Sequence, residues 1–206
     1  SAASDVYKRQ DLDAFIADYK EADYEEFQQM VTALNDYIND GRSESFTLNG
    51  SSYKTQSDKT DLTENLNGVF SIAGAEKWTY GNHFGNYPIS TVYENVYDVR
   101  ESAPDKADLM KSSIVKSLEE LDFLSNYAAG PEGATKRGSQ FINSTVTGYD
   151  QAVQTFAESK AIFIKNGNWT YSNIANIAPE VAERLVMLPM KLNFSDAVSY
   201  THLRAH

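Results

Sequence analysis

The chain has 206 residues, 41% of them hydrophobic, and carries a formal net charge of -11 at pH 7. This acidity disfavours nucleic acid and anionic membrane surfaces as partners, and the absence of cysteine excludes disulfides and thiolate chemistry. No run of about 18 apolar residues could span a bilayer, and the length suits one domain with a hydrophobic core.

Two amphipathic helices are predicted at the start of the chain. The first spans Asp11 to Lys20, with an apolar face formed by Leu12, Phe15 and Ile16. Asp23 is predicted to cap the second helix, because Glu26 stands three residues later in a capping box, and Gly41 is predicted to end it. Helical spacing places the buried face of this second helix at Phe27, Met30, Val31, Leu34 and Ile38.

A small hairpin and a short helix follow. Asn49-Gly50 lies between alternating polar and apolar residues, which predicts a tight β-hairpin on the surface. The segment Thr60–Asn67 predicts a short helix that turns Leu62 and Leu66 inward.

Two short apolar runs, each followed by a tryptophan, suggest a ligand site. Val69–Ala73 leads to Trp78, and Ala161–Ile164 leads through Gly167 to Trp169. The β-branched and aromatic members of these runs predict buried strands, and Gly167 is expected to turn the chain with a positive φ. Because ligands of open α/β sheets bind beyond the carboxyl ends of strands, each tryptophan marks a candidate contact. Packing against a core is the alternative role of Trp78.

The segments between these runs are predicted to be mainly helical. Pro88 is expected to kink a helix that runs from Trp78 to about Tyr97. Pro104 is predicted to open a helix that reaches about Tyr127. Its buried apolar stripe is predicted to be Met110, Ile114, Leu118 and Leu121.

A long loop and three further elements complete the prediction. Ala128–Gly148 is polar and rich in glycine, and a loop of this length is unusual in a compact domain. Thr147 is predicted to cap the helix that precedes the second apolar run. Pro179 is predicted to open a helix to about Arg184, and Leu185–Leu188 to form a third short strand.

No catalytic or metal-binding arrangement stands out in the sequence. It contains no Gly-x-Ser-x-Gly elbow, no P-loop and no His/Cys/carboxylate cluster with metal-ligand spacing. A serine triad would need His83 as its base, since the other histidines lie in the C-terminal tail. Acidic residues are numerous, but no glycosidase-type pair is singled out. We therefore predict a protein that is not an enzyme and has no metal or cofactor.

The segment AVQTFAESKAIFIKNGNWTYSNI, followed by VMLPM, resembles the extracellular solute-binding proteins of sugar ABC transporters, the maltose-binding-protein-like family 1. The shared pattern is a helix with a Phe-Ala pair, a lysine, an apolar strand, a Gly-x-Trp and a later Leu-Pro. FSIAGAEKWTYGNHFGN resembles the element of that family whose aromatic residues face the cleft between two lobes. The predicted ligand-binding residues are Trp78, Tyr80, His83, Asn168, Trp169 and Tyr171.

This resemblance implies both a fold and a function. The fold would be α/β, a helix-rich lobe with a small central sheet that forms most of the C-terminal lobe of a type II periplasmic-binding fold. The protein would capture a carbohydrate, expected to be an oligosaccharide, outside the cytoplasmic membrane and deliver it to ABC permease subunits. It would be periplasmic or a cell-surface lipoprotein, held to the membrane only through an N-terminal anchor outside this sequence. Two alternatives stay open: a glycan-active hydrolase, and a non-catalytic surface glycan-binding domain.

Both ends of the chain are expected to derive from a sequencing adapter. Asp5–Gln10 can be encoded by GAT GTG TAT AAG AGA CAG, and the reverse complement of this oligonucleotide, read from its third letter, encodes Val198–His202. The oligonucleotide resembles the transposon end used in library preparation. We therefore expect artefactual flanks at 1–10 and 197–206 around a partial solute-binding lobe at 11–196, an internal fragment of a longer reading frame.

Overall fold

The computed structural model describes residues 12–42, 44–55, 60–129, 138–143, 145 and 147–193. The expected flanks 1–10 and 197–206, and residues 130–137 of the predicted long loop, lie outside this range. The described chain is α/β, with about 59% helix.

In chain order, the elements are α1 Leu12–Glu21, α2 Tyr24–Asp40, β1 Ser45–Leu48, β2 Ser51–Lys54, α3 Asp61–Glu64, β3 Gly68–Ser71, α4 Lys77–Tyr80, a π-helix at Gly81–Gly85, α5 Asn86–Val92, α6 Val96–Ser102, α7 Ala107–Asn126, a 3₁₀ turn at Gly138–Phe141, α8 Tyr149–Ala157, β4 Ala161–Ile164, α9 Thr170–Ile177 and α10 Pro179–Ala182. They form two compact units. Unit 1 comprises the described parts of Ser1–Glu76 and Phe123–Lys191, and unit 2 comprises Lys77–Asp122 with the described residues after 191.

The first helices of unit 1 follow the sequence closely. The Asp23 carboxylate accepts a hydrogen bond from the Glu26 amide at 2.8 Å, and the Glu26 side chain accepts one from the Asp23 amide at 3.1 Å. This completes the predicted capping box, and Gly41 ends α2 in the left-handed conformation with φ 68°. In α1, Phe15 and Tyr19 are buried, whereas Leu12, predicted to face inward, is exposed.

The predicted hairpin forms, with β1 and β2 antiparallel and Leu48 opposite Ser51. Asn49 and Gly50 both have positive φ, at 49° and 77°, as a two-residue turn of this kind requires. The hairpin is not merely a surface feature, because Phe46, Leu48 and Tyr53 are buried on one of its faces.

The second sheet of unit 1 pairs β3 with β4 in parallel, with Phe70 opposite Phe163. A run of ring contacts joins this sheet to the helices: Phe27 lies 6.2 Å from Phe70, and Phe70 lies 5.7 Å from Phe163, between ring centroids. In the part of the chain that the structure describes, two separate two-stranded sheets form where a small central sheet was expected.

The predicted third strand at Leu185–Leu188 does not form. In the described residues this segment is neither helix nor strand, and Met187 is 70% exposed. The Leu185 amide donates to the Ala182 carbonyl at 3.1 Å, and just beyond the segment the Tyr19 hydroxyl donates to the Pro189 carbonyl at 3.0 Å. An apolar run becomes a strand only where a neighbouring ladder can pair with it.

The helix predicted from Trp78 to Tyr97 is divided differently from the expected kink at Pro88. Pro88 lies inside the first turn of α5, and the irregular segment precedes it as the π-helix. Proline has no N–H to donate to the carbonyl four residues earlier, which is that of Phe84. The Ser117 hydroxyl donates to this carbonyl at 2.8 Å, and the Ser113 hydroxyl donates to the Pro88 carbonyl at 3.3 Å.

These hydrogen bonds explain why α7 buries a different face from the predicted one. Ser113, Ser117 and Glu120 are buried, and the Glu120 carboxylate accepts from the Asn193 amide at 3.1 Å. Ile114 and Leu118, predicted to face the core, are 41% and 56% exposed. The inward face of α7 thus carries two hydroxyl groups that donate to backbone carbonyls of unit 2.

Replacing Ser117 by alanine should therefore destabilise unit 2. The Phe84 carbonyl would lose its hydroxyl donor in a buried setting, which costs about 1–3 kcal/mol of unfolding free energy. Urea unfolding followed by far-UV circular dichroism measures this, and Ser112→Ala, at an exposed position on the same helix, serves as the matched control. An equal, small effect of both substitutions would contradict the role given to Ser117.

Candidate functional site

The two strands that precede the tryptophans end side by side. Ser71, the last residue of β3, is opposite Ile164, the last residue of β4. The Lys165 amide extends the pairing by donating to the Ser71 carbonyl at 3.3 Å. Since β3 and β4 run parallel, their carboxyl ends form one edge of the sheet, which is where ligands of α/β sheets bind.

The chain that leaves β4 places two aromatic side chains at the surface. Trp169 is 51% exposed and Tyr171 is 53% exposed, and Asn168 is exposed beside them. Thr170, between the two rings, is 3% exposed, and its hydroxyl lies 3.4 Å from the Tyr149 hydroxyl. The threonine side chain thus faces the interior, whereas the residues on both sides of it are half-exposed.

Gly167 differs from the predicted turn glycine. Its φ does not lie in the left-handed region, which Gly41, Gly50 and Gly138 occupy. A different constraint acts here, because atoms of the Trp169 ring occupy the space that a Cβ at this position would fill, so a larger residue would displace the ring. The sequence marked Gly167 as special, but only the coordinates give the steric cause.

The chain that leaves β3 leads into unit 2 and to three more of the predicted residues. Trp78, on α4, is 42% exposed. Tyr80, on the same helix, is 8% exposed and is therefore a buried side chain. His83, in the π-helix, is half-buried, and its ring stacks on Tyr87 with centroids 5.8 Å apart and planes at 19°. The structure thus groups Asn168, Trp169 and Tyr171 on unit 1, and Trp78, Tyr80 and His83 on unit 2.

A shallow groove of about 530 Å³ lies at the opposite edge of the β3–β4 sheet, beside residues that precede the two strands. It contains Asp61 and Asn65 before β3, Glu158 and Ser159 before β4, and Glu180 on α10. It has no aromatic side chain in its lining. Its location at the amino ends of the strands makes it the less favourable ligand site.

One carboxyl group of the groove, that of Glu158, is poorly suited to act as a general acid. The Lys160 ammonium, 2.6 Å from Glu158, lowers the pKa of that carboxyl group, and a hydrogen bond from Gln154 adds to the effect. A general acid needs the opposite shift, since it must hold a proton near neutral pH.

No family model, curated protein or solved structure matches the chain. The site is therefore characterised by its own residues. Among the described residues, no three histidine or acidic side chains converge as metal ligands. None of the helices in the described ranges is both long and apolar enough to cross a membrane.

The carboxyl-terminal edge of the β3–β4 sheet is thus the better candidate site. It presents an indole, a phenol and an amide within four consecutive positions of the chain. Aromatic faces can cover apolar C–H surface, and the amide and phenol groups can exchange hydrogen bonds with hydroxyl groups. An arrangement of this kind can bind a ligand that combines apolar C–H surface with hydroxyl groups.

Proposed function

We propose that the chain is part of the sugar-binding lobe of an extracytoplasmic solute-binding protein, which captures an oligosaccharide and delivers it to an ABC permease. Asn168, Trp169 and Tyr171 contact the sugar. The ligand is bound and released unchanged. A type II periplasmic-binding fold, closing with a second lobe around the ligand, completes the binding surface.

The observation that carries this proposal is the pair of half-exposed rings beyond β4. Trp169 and Tyr171 keep 51% and 53% of their surface accessible, although large aromatic side chains are usually well buried. They lie at the sheet edge that binds ligands in open α/β folds. The resemblance of the surrounding segment to sugar-transport receptors supports the same ligand class.

The energetics assign a limited share of the affinity to one ring. Covering about 50–100 Å² of indole and sugar surface contributes about 1–2.5 kcal/mol at roughly 25 cal/mol per Å². A micromolar ligand needs about 8 kcal/mol. Hydrogen bonds to the hydroxyl groups and closure of the second lobe supply the remainder.

Replacing Trp169 by alanine is expected to raise the Kd for the bound saccharide about 5- to 70-fold, the equivalent of the ring's share of the binding energy. The 206-residue chain would bind the saccharide more weakly than the closed two-lobed protein, so isothermal titration uses millimolar maltotriose, cellotriose and xylotriose to measure the affinity. Trp78→Ala is titrated in a separate experiment, because Trp78 is the other tryptophan predicted from the sequence to bind the ligand.

Tyr97→Ala is the matched control for this experiment, because Tyr97 is a 71% exposed aromatic residue on α6 with no role in the proposal. It should leave the Kd unchanged. Absence of saccharide binding to the unsubstituted chain, or equal weakening by Tyr97→Ala and Trp169→Ala, would refute sugar capture by this surface.

A further inference from the structure

The turn between β4 and α9 holds the Trp169 ring against its own backbone. The Gly167 carbonyl accepts a hydrogen bond from the Thr170 amide at 3.1 Å, and the Asn168 carbonyl accepts one from the Tyr171 amide at 3.2 Å. The Asn166 side chain accepts from the Gly167 amide at 2.9 Å. These bonds fix the path of the chain on both sides of Gly167.

The indole covers the Cα of Gly167 with its face. A Cβ built on Gly167 would meet three successive atoms of the six-membered ring, Cε3, Cζ3 and Cη2, all within 2.5 Å. A ring that approached edge-on would bring only one or two of these atoms so close. The ring therefore lies over the glycine, in the space that any other side chain would occupy.

This contact covers one face of the indole, yet Trp169 keeps 51% of its surface accessible. A ligand therefore reaches the ring from the side away from Gly167. The backbone that carries the ring cannot easily shift, because Thr170 and Ile174 on α9 are buried at 3% and 1% exposure. A methyl group at position 167 must therefore rotate the ring away.

We infer that Gly167 is a positioning residue, which holds the Trp169 indole flat and presents its outer face to the apolar C–H face of a pyranose ring. This inference rests on the proposed function and deepens it. A preorganised ring loses less conformational freedom when the ligand binds, so displacing it weakens binding without removing any ligand-contacting atom.

The test begins with the ring itself and needs no ligand. The chain contains two tryptophans, so Trp78→Phe leaves Trp169 as the sole indole. In this background, Gly167→Ala should change the near-UV circular dichroism band of Trp169 and increase its quenching by acrylamide. Gly85→Ala, at a glycine with no neighbouring atom within 4 Å, should change neither. Unaltered spectra for Gly167→Ala would overturn the inference.

A double-mutant cycle then tests the effect on binding. Gly167→Ala alone should raise the Kd for the trisaccharide about 5- to 70-fold, as Trp169→Ala does. In a Trp169→Ala background it should change the Kd less than about twofold, because no ring remains to be displaced. A purely structural role would instead weaken binding in both backgrounds and overturn the inference.

The two proposals fail in different ways. An unsubstituted chain that binds no saccharide overturns the proposed function, and the role of Gly167 is then decided by the two spectroscopic measurements alone. A displaced ring with an unchanged Kd leaves sugar binding intact and overturns the positioning role.

Discussion

Replacing Gly68 by alanine is expected to lower the free energy of unfolding of unit 1 by about 3 kcal/mol, the upper part of the range for overpacked cores. A Cβ at this position would lie 2.7 Å from the Ala129 nitrogen and 2.9 Å from the Ala129 Cα. These are backbone atoms, which cannot rotate aside as a side chain can. The segment they belong to is bound to β3, since the Ala129 amide donates to the Phe70 carbonyl at 2.7 Å.

The methyl group would therefore separate the chain at Tyr127–Ala129 from β3 and weaken its hydrogen bonds. Urea unfolding in the Trp78→Phe background measures the loss, because Trp169 then reports on unit 1 alone. Gly81→Ala is the matched control, since a Cβ there meets nothing within 4 Å. A Gly68→Ala chain that unfolds at the midpoint of the control would show that the backbone can adjust.

Replacing Ile174 by alanine is expected to lower the same unfolding free energy by about 2–5 kcal/mol, the usual cost of removing a large buried aliphatic side chain. Ile174 is 1% exposed and belongs to a cluster with Val153, Ala157, Ala178 and Ala182, which joins α8, α9 and α10. Three of the four other buried members are alanines, and the larger side chains packed against the cluster, such as Phe156 and Leu185, are only partly buried.

Ile177→Ala is the control for this substitution, because it makes the same change on the same helix at a position that is 43% exposed. It should alter stability by no more than about 0.5 kcal/mol. Comparable losses for the two variants would contradict the cluster as the anchor of α9. A loss of this anchor would also affect ligand binding, since α9 carries Tyr171 and follows directly from Trp169.

The sequence predicts best the features that depend on a few adjacent residues. The Asp23–Glu26 capping box, the left-handed Gly41 and the Asn49-Gly50 turn each need only local chemistry, and each forms as expected. The helix before β4 shows the limit of such reasoning. Gly148, not Thr147, is its N-cap, and the Gly148 amide donates to the Gln151 side chain at 3.0 Å.

Features that depend on distant partners are predicted poorly. Periodicity indicated Ile114 and Leu118 as the buried side of α7, but the buried side carries Ser113 and Ser117. The hydrophobic pattern of α7 cannot reveal the Phe84 and Pro88 carbonyls, which accept hydrogen bonds from these hydroxyl groups. The missing strand at Leu185–Leu188 has a similar origin, because strand formation depends on a partner that composition cannot supply.

The candidate site likewise has some features that the sequence predicts and others that it does not. The order of strand, glycine and tryptophan located the surface beyond β4 from sequence alone. The exposure of the side chains could not be predicted from the sequence. Tyr80 and Tyr171 both end a Trp-Thr-Tyr triplet, but they are 8% and 53% exposed. The reason for a glycine at 167 depends on the rotamer of the side chain two residues later, which no sequence pattern encodes.

The hydrogen bond from the Ser117 hydroxyl to the Phe84 carbonyl couples position 117 to Pro88, which lies 29 residues earlier and lacks the amide that could bond to this carbonyl. A chain with an ordinary residue at 88 would supply the missing amide itself and release position 117 to become apolar. Substitutions at 88 and 117 should then arise together during divergence, so that a serine or threonine at 117 accompanies proline at 88. Such paired variation would leave a record of this hydrogen bond in the sequences of relatives, even where helix α7 is otherwise altered.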